Sequence, residues 1–272
     1  MSAPTNSAAP SLRSAAVKVA GVSKTYSVRA GNDVHALDRV DLDIAPGSFV
    51  AVVGPSGCGK STLLSLLAGL IPVSTGHLTI DGEDVVKPHP KAGVVFQSDL
   101  LLDWRSILDN VLLPIEIKKL DRKAYVDRAR DLLSQVGLQG FDDKFPSELS
   151  GGMRQRVAIC RALIQEPGLL LMDEPFGALD ALTREQMIMD LQTMWLRLRN
   201  TVLFITHGID EAVFLADRVI VMSPRPGRVD LDLTIDIARP RSWNAVHEDP
   251  AFQRYVRQVR GIFEAKGVLV AH

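Results

Sequence analysis

The stretch FVAVVGPSGCGKSTLLSLLAGL, residues 49–70, decides how this chain is read. Within it, GPSGCGKST at 54–62 fits the spacing G-x-x-x-x-G-K-[ST], with Gly54, Gly59, Lys60 and Ser61 at the fixed places. The apolar, β-rich run FVAVV leads in and the helix-prone run TLLSLLAGL leads out. A strand, a glycine-rich turn and a helix start in that order form a cradle for a phosphate. Glycines let backbone N–H groups turn inward and approach an anion closely, and the helix N-terminus adds a favourable dipole. Gly54, Pro55, Ser56, Gly57, Cys58, Gly59, Lys60, Ser61 and Thr62 are therefore candidate nucleotide-binding residues. Lys60 has the reach for β- and γ-phosphates, and the Ser61 hydroxyl suits Mg²⁺.

Composition sets the frame around this loop. The 272 residues suffice for one large α/β domain with a small appendage, and 46% hydrophobic against 23% charged residues suits a packed core. Thirty-one basic residues against 32 acidic ones leave a net charge of −1, which argues against nucleic acid as the main partner. No apolar run is long enough to cross a bilayer. Residues 1–15, rich in Ser, Ala and Pro, read as a disordered tail. The two cysteines, Cys58 and Cys160, lack C-x-x-C spacing and read as packing residues in a reducing compartment.

Along the chain, VKVAGVSKTY and LDRVDLDI alternate as antiparallel strands do, around a polar turn near 31–33. Tyr26 in the first of them is either a sheet aromatic or a platform for a nucleotide base. HLTIDGEDV reads as a hairpin bending at Asp81 and Gly82. The stretch of about 98–165 changes to helical periodicity, as in Tyr125, Ala129, Leu132, Leu133 and Val136, and reads as a helical insertion. LSGGM at 149–153 opens another helix; Ser150, Gly151 and Gly152 there make either a simple cap or a second anion site. Beyond it, strands GLLLMD, TVLFIT and RVIVM alternate with helices, which argues for a parallel sheet. DLDLTIDI at 230–237 alternates as a half-exposed strand, and one amphipathic helix is expected around Phe252–Phe263.

Four polar sites each follow an apolar strand directly: the phosphate loop, Gln97, Asp173-Glu174 and His207. In an open α/β sheet ligands bind beyond the carboxyl ends of the strands, so the four are expected to meet around one nucleotide. Asp173 suits Mg²⁺, because a hard cation prefers carboxylate oxygen, and Gln97 suits the same metal shell. Glu174, one residue on, suits the attacking water as a general base, and His207 suits the charge that develops on the γ-phosphate.

With these residues together, the chain resembles the nucleotide-binding subunits of ATP-binding cassette (ABC) transporters. The resemblance runs from about Val17 to Met222 and is carried by 54–62, Gln97, LSGGMRQR at 149–156, LLLMDEP at 169–175, GALD at 177–180 and His207. It implies an α/β fold of the P-loop NTPase type, with a mostly parallel core sheet, an N-terminal antiparallel β subdomain and the helical insertion. The cassette would span 16–240, followed by a C-terminal helical extension at 241–272. The resemblance also implies ATP and Mg²⁺ as cofactors, Tyr26 under the adenine, and a homodimer. In that dimer Ser150, Gly151 and Gly152 complete the partner's ATP site and Asp180 sits at the seam. Two membrane permease subunits, an extracytoplasmic solute-binding protein and a place on the cytoplasmic face of the inner membrane are implied as well. Within the family, LLLDWRSILDNV and MSPRPGRV (222–229) are similar to the importer branch for nitrate, sulfonates and taurine; Asp103 stands before Trp104 where that branch commonly has proline, which leaves another solute such as a thiamine precursor as the alternative. No long coiled coil, second cassette or internal repeat points to a DNA-repair or ribosome-acting relative, and LSGGM argues against a small-molecule kinase.

Overall fold

The computed structural model describes residues 14–27, 31 and 33–268. Most of the expected tail, and parts of the turn at 28–32, lie outside the described residues. The chain begins with two antiparallel strands, β1 (Val17–Tyr26) and β2 (Val34–Ile44). Next come β3 (Phe49–Val53) and α1 (Lys60–Leu67), then the hairpin β4 (Thr75–Ile80) and β5 (Glu83–Asp84). Asp81 and Gly82, both at positive φ, make the tight bend of that hairpin. Strand β6 (Ala92–Val95) precedes the helical stretch α2 (Ile107–Ile117), α3 (Lys123–Gln135) and α4 (Gly151–Leu163). The chain then alternates through β7 (Leu169–Asp173), α5 (Ala181–Leu198), β8 (Thr201–Ile205), α6 (Ile209–Leu215) and β9 (Arg218–Met222), and turns back in β10 (Val229–Thr234). Helices α7 (Trp243–Glu248) and α8 (Pro250–Ala265) end it.

Two sheets result. One is antiparallel, in the order β2-β1-β4-β5; the other runs β10-β9-β3-β8-β7-β6, parallel except at β10. The central strands are buried on both faces, and their side chains divide by parity. Val50, Val52, Leu169, Leu171, Leu203 and Ile205 join α1 and the antiparallel sheet in one core, while Phe49, Ala51, Leu170, Met172, Val202 and Phe204 join the other helices in a second. Period-two alternation thus faces two different layers, which is why the strands read as continuous apolar runs. In the second core Phe49 meets Trp195 edge-on, with ring centroids 5.6 Å apart, and truncating such a ring costs about 3–5 kcal/mol. The methionine and tryptophan stripe of α5 is therefore core, as its spacing indicates.

Two expectations need correcting. The alternation at 230–237 outlasts the strand: β10 stops at Thr234, and Ile235 donates instead to the Asp217 carbonyl at 2.8 Å. The C-terminal segment holds two helices where periodicity indicates one. The six residues of α7 are too few to show a period; Trp243 meets Phe214 edge-on at 4.9 Å and His247 edge-on at 4.7 Å, ring centroid to centroid. Arg241, just before α7, is buried and donates to the carbonyls of Val213, Phe214 and Ala216, which end α6. Burial pushes its guanidinium down to about 9, with Arg239 adding to the effect.

Asn110 organises the approach to α2. Fully buried, its side-chain amide donates to the carbonyls of Leu102, Arg105 and Ser106 and accepts from the Leu102 N–H. The loop ahead of α2, which leaves Trp104 exposed, thereby has its backbone groups satisfied by one side chain. Asn110→Ala is expected to lower stability by about 2–4 kcal/mol, since buried backbone groups lose their partners. Urea unfolding monitored by tryptophan fluorescence checks this, and an unchanged midpoint would contradict it.

Candidate functional site

The phosphate loop leaves β3 under tight packing. Gly59, at φ 98°, lies so close to β2 that a Cβ there would stand 2.6 Å from the Leu37 side chain and 2.8 Å from the Ala36 carbonyl. On the other side Gly227 lies against the Cys58 carbonyl, where a Cβ would approach to 1.9 Å. Only glycine fits such approaches, so the loop is held from both sides by backbone. Lys60 opens α1 almost wholly buried; its ammonium donates to the Gly54 carbonyl at 2.8 Å and the Pro55 carbonyl at 3.2 Å.

The strand ends deliver the remaining groups. With β3, β8, β7 and β6 adjacent and parallel, His207, Asp173-Glu174 and Gln97 follow one another along the same edge as the loop. The Ser61 hydroxyl donates to Asp173 Oδ1 at 3.0 Å. Burial raises the Asp173 carboxyl above its ordinary range, against the opposing hydrogen bond from Ser61. His207 Nε2 lies 2.6 Å from Glu174 Oε1, and Lys60 Nζ lies 4.0 Å from the same oxygen. Glu174 itself sits at φ 45°, with its N–H bonded to the Ile205 carbonyl at 3.0 Å. A non-glycine residue in the left-handed region is held there by its surroundings at some cost, a pattern concentrated at functional sites.

Of these groups Lys60, Ser61, Glu174 and His207 line a cleft of about 390 Å³, whereas Asp173 and Gly54 do not. Thr62 lines it too, as does Tyr26, with its hydroxyl 3.5 Å from the Thr62 hydroxyl. Gln97 does not reach this cleft. It lines a smaller neighbouring cavity of about 190 Å³ that shares Glu174 and His207. Cys58 lies under the loop, buried, and burial raises its thiol. Ser150, Gly151, Gly152 and Asp180 do not line the cleft either. Ser150 caps α4, accepting from the Met153 N–H, while Ser150 and Gly151 remain exposed. Gly152 packs on Thr183, next to Asp180, whose carboxylate caps α5 and is held below the ordinary range by those backbone N–H bonds. The Ser150–Gly152 helix start and Asp180 thus lie apart from the cleft and serve as helix caps.

Sequence reasoning missed several residues of the cleft and its surround. Val34, Ala36 and Arg225 line the rim, and Arg225 donates through Nε to the Gly57 carbonyl at 3.3 Å. The run MSPRPGRV contained Arg225, but its approach to the phosphate loop depends on Gly227 pairing with Ala36 and Asp38 of β2. Thr206, Arg184 and Glu211 surround the smaller cavity, and no local motif marks them.

Comparison with known proteins agrees with this geometry. Residues 37–177 match the ABC transporter family. The chain is 49% identical over 253 residues to a taurine import ATP-binding protein, TauB, of Rhizobium johnstonii, covering 92% of this chain and 97% of that relative. It is 40% identical over 253 residues to an aliphatic sulfonates import ATP-binding protein, SsuB, of Bacillus cereus, covering 93% of this chain and 98% of that relative. Among solved structures it resembles the dimeric ATP-binding cassette MJ0796 in a post-hydrolysis state bound to ADP and Pi. The TM-score is 0.71 and the identity 33%, over 82% of this chain and all of that one.

Lys60→Ala is expected to weaken ATP binding by at least about tenfold, because the one ammonium buried in the loop is removed. Calorimetric titration with ATP tests this, and an undiminished affinity would contradict the phosphate-loop assignment.

Proposed function

The chain belongs to the ABC transporter family, and we propose that it is the ATP-hydrolysing subunit of an importer whose cargo is a small sulfonate of the taurine type. One observation carries the catalytic half of this reading: Lys60, the Ser61–Asp173 pair and the Glu174–His207 pair converge at one sheet edge. The cargo rests on the names of the relatives, taurine for one and aliphatic sulfonates for the other.

The residues present suit a magnesium nucleotide. The Ser61 hydroxyl and the Asp173 carboxylate 3.0 Å from it are oxygen donors of the kind Mg²⁺ takes beside phosphate oxygens, and the Gln97 amide, in the adjoining cavity, would have to turn toward them to complete the set. When bound, Mg²⁺ supplies a Lewis acid that polarises the terminal phosphoryl group. Tyr26 stacks under the base, and the N–H groups of 57–62 with the Lys60 ammonium neutralise phosphate charge. Glu174 receives the proton of the attacking water. His207, with Nε2 2.6 Å from Glu174 Oε1, orients that carboxylate, and the same N–H would turn to the γ-phosphate as charge develops there.

Two copies are needed to finish the site. Ser150, Gly151 and Gly152 of one chain would close over the nucleotide of the other, with Asp180 at the seam, which accounts for two half-sites on one surface-exposed framework. The exposed segment around Leu100 and Trp104 would meet permease subunits at the membrane, with a solute-binding protein on the far side. Among the described residues no helix is long and apolar enough to cross a membrane, so attachment would run through those subunits.

Glu174→Gln is expected to keep ATP binding, lower turnover by about 10²–10⁴-fold, and accumulate dimer on sizing chromatography with ATP. Monomer alone under those conditions would overturn the two-chain site. For the cargo, deletion of the gene is expected to abolish uptake of taurine or alkanesulfonates while sparing nitrate and thiamine-precursor-like compounds; loss confined to the latter would overturn the sulfonate reading.

A further inference from the structure

The cavity behind His207 is built around a buried acid that the hydrolysis chemistry leaves unused. Glu211, in the first turn of α6, is 8% exposed and Thr206 is 4% exposed. The Thr206 hydroxyl donates to Glu211 Oε2 and accepts from the Gly208 N–H at 2.9 Å. Gly208 lies so close that a Cβ there would stand 2.7 Å from the Glu211 carboxyl carbon. The segment 206–208, which holds His207, is thus moulded onto one carboxylate.

The other oxygen of Glu211 faces a different loop. Oε1 lies 3.7 Å from Arg184 Nε, and that guanidinium donates to the carbonyls of Phe176 at 3.2 Å, Leu179 at 3.1 Å and Gly177 at 3.4 Å. The Arg184 backbone N–H adds a bond to the Asp180 carbonyl at 2.9 Å. Arg184 therefore gathers the connection from Phe176 to Asp180, just beyond Glu174. Both loops already meet at the front, through the 2.6 Å contact of His207 with Glu174; the ion pair joins them again at the back. A buried carboxylate raised above its range by burial is costly to keep charged, and apolar residues would fill the space more cheaply. A charge retained between two loops of the reaction site points to registration of one loop against the other.

We propose that Arg184 and Glu211 are positioning residues for ATP hydrolysis, a couple that locks the His207 loop to the 176–180 loop so that Glu174 alignment and closure at Asp180 are adopted together. Neither residue touches the nucleotide cleft, so the couple acts on turnover and leaves ground-state binding alone. The proposal rests on the reading of Glu174 and His207 as the hydrolysis pair.

Glu211→Gln keeps the shape and the acceptor for Thr206 but removes the charge facing Arg184; Arg184→Lys keeps the charge but loses the fork that spans three carbonyls. Each is expected to lower kcat by about tenfold or more while ATP affinity stays within about twofold and the melting temperature is kept. The double variant is expected to lose no more than the worse single variant, because the two act as a unit. Wild-type kcat in either single variant, multiplicative losses in the double, or a fall in affinity matching the fall in kcat would each overturn the couple. Should Glu211→Gln fail to fold, Arg184→Lys alone decides by the same affinity and kcat criteria. Glu174→Gln run alongside separates the two levels: if that variant still turns over, the hydrolysis reading fails whatever the couple does.

Discussion

Ile205 pairs on one side with Val52 and on the other with Asp173, so β3, β8 and β7 run parallel and end at one level. Everything chemical in the molecule depends on that alignment. Parallel strands present their carboxyl ends together, and the chain leaves each end through a loop that carries a polar group. Because all three strands are buried on both faces, slipping the register by one residue would exchange the two cores as well as dismantle the site. Packing of the apolar interior and placement of Lys60, Glu174 and His207 are thus one constraint.

The electrostatics of the cleft and of the Ser150–Asp180 surface differ in kind. At the cleft, charges are partly or wholly withdrawn from water: Lys60 is buried, Asp173 is raised by burial, and Glu174 is shared between an ammonium and an imidazole. Such a cluster is costly unless each group has partners, which Gly54, Pro55, Ser61 and His207 provide. At the Ser150–Asp180 surface the groups stay near water and act as helix caps, with Asp180 held low by backbone N–H bonds. A pocket whose charges are withdrawn from water and an exposed pair of helix starts are thus different kinds of surface on one chain.

The C-terminal extension belongs to the same mechanics. Arg241 caps the end of α6, and the aromatic run Phe214, Trp243, His247, Phe252 packs α7 and α8 against it. Since α6 follows His207 closely and carries Glu211, the extension packs on the helix from which the His207 loop is hung.

Much of this was legible before any fold was known, because it is local. The phosphate loop, the helix start at Ser150, the hairpin at Asp81-Gly82 and the buried strands follow from spacing, turn chemistry and period over a few residues. The meeting of Gln97, Asp173-Glu174 and His207 with that loop was inferable from strand ends alone, although Gln97 proves to line the adjoining cavity. What failed was also local in cause: alternation past Thr234 continued without a strand to pair with, and α7 was too short to have a period. Tertiary structure alone decided the strand order, the approach of Arg225 to Gly57, the four bonds of Asn110 and the joining of Arg184 to Glu211, far along the chain. Periodicity encodes which side of an element is apolar; it carries no record of which distant backbone carbonyl or charge that element will meet, and those meetings are fixed only when the layers close on one another.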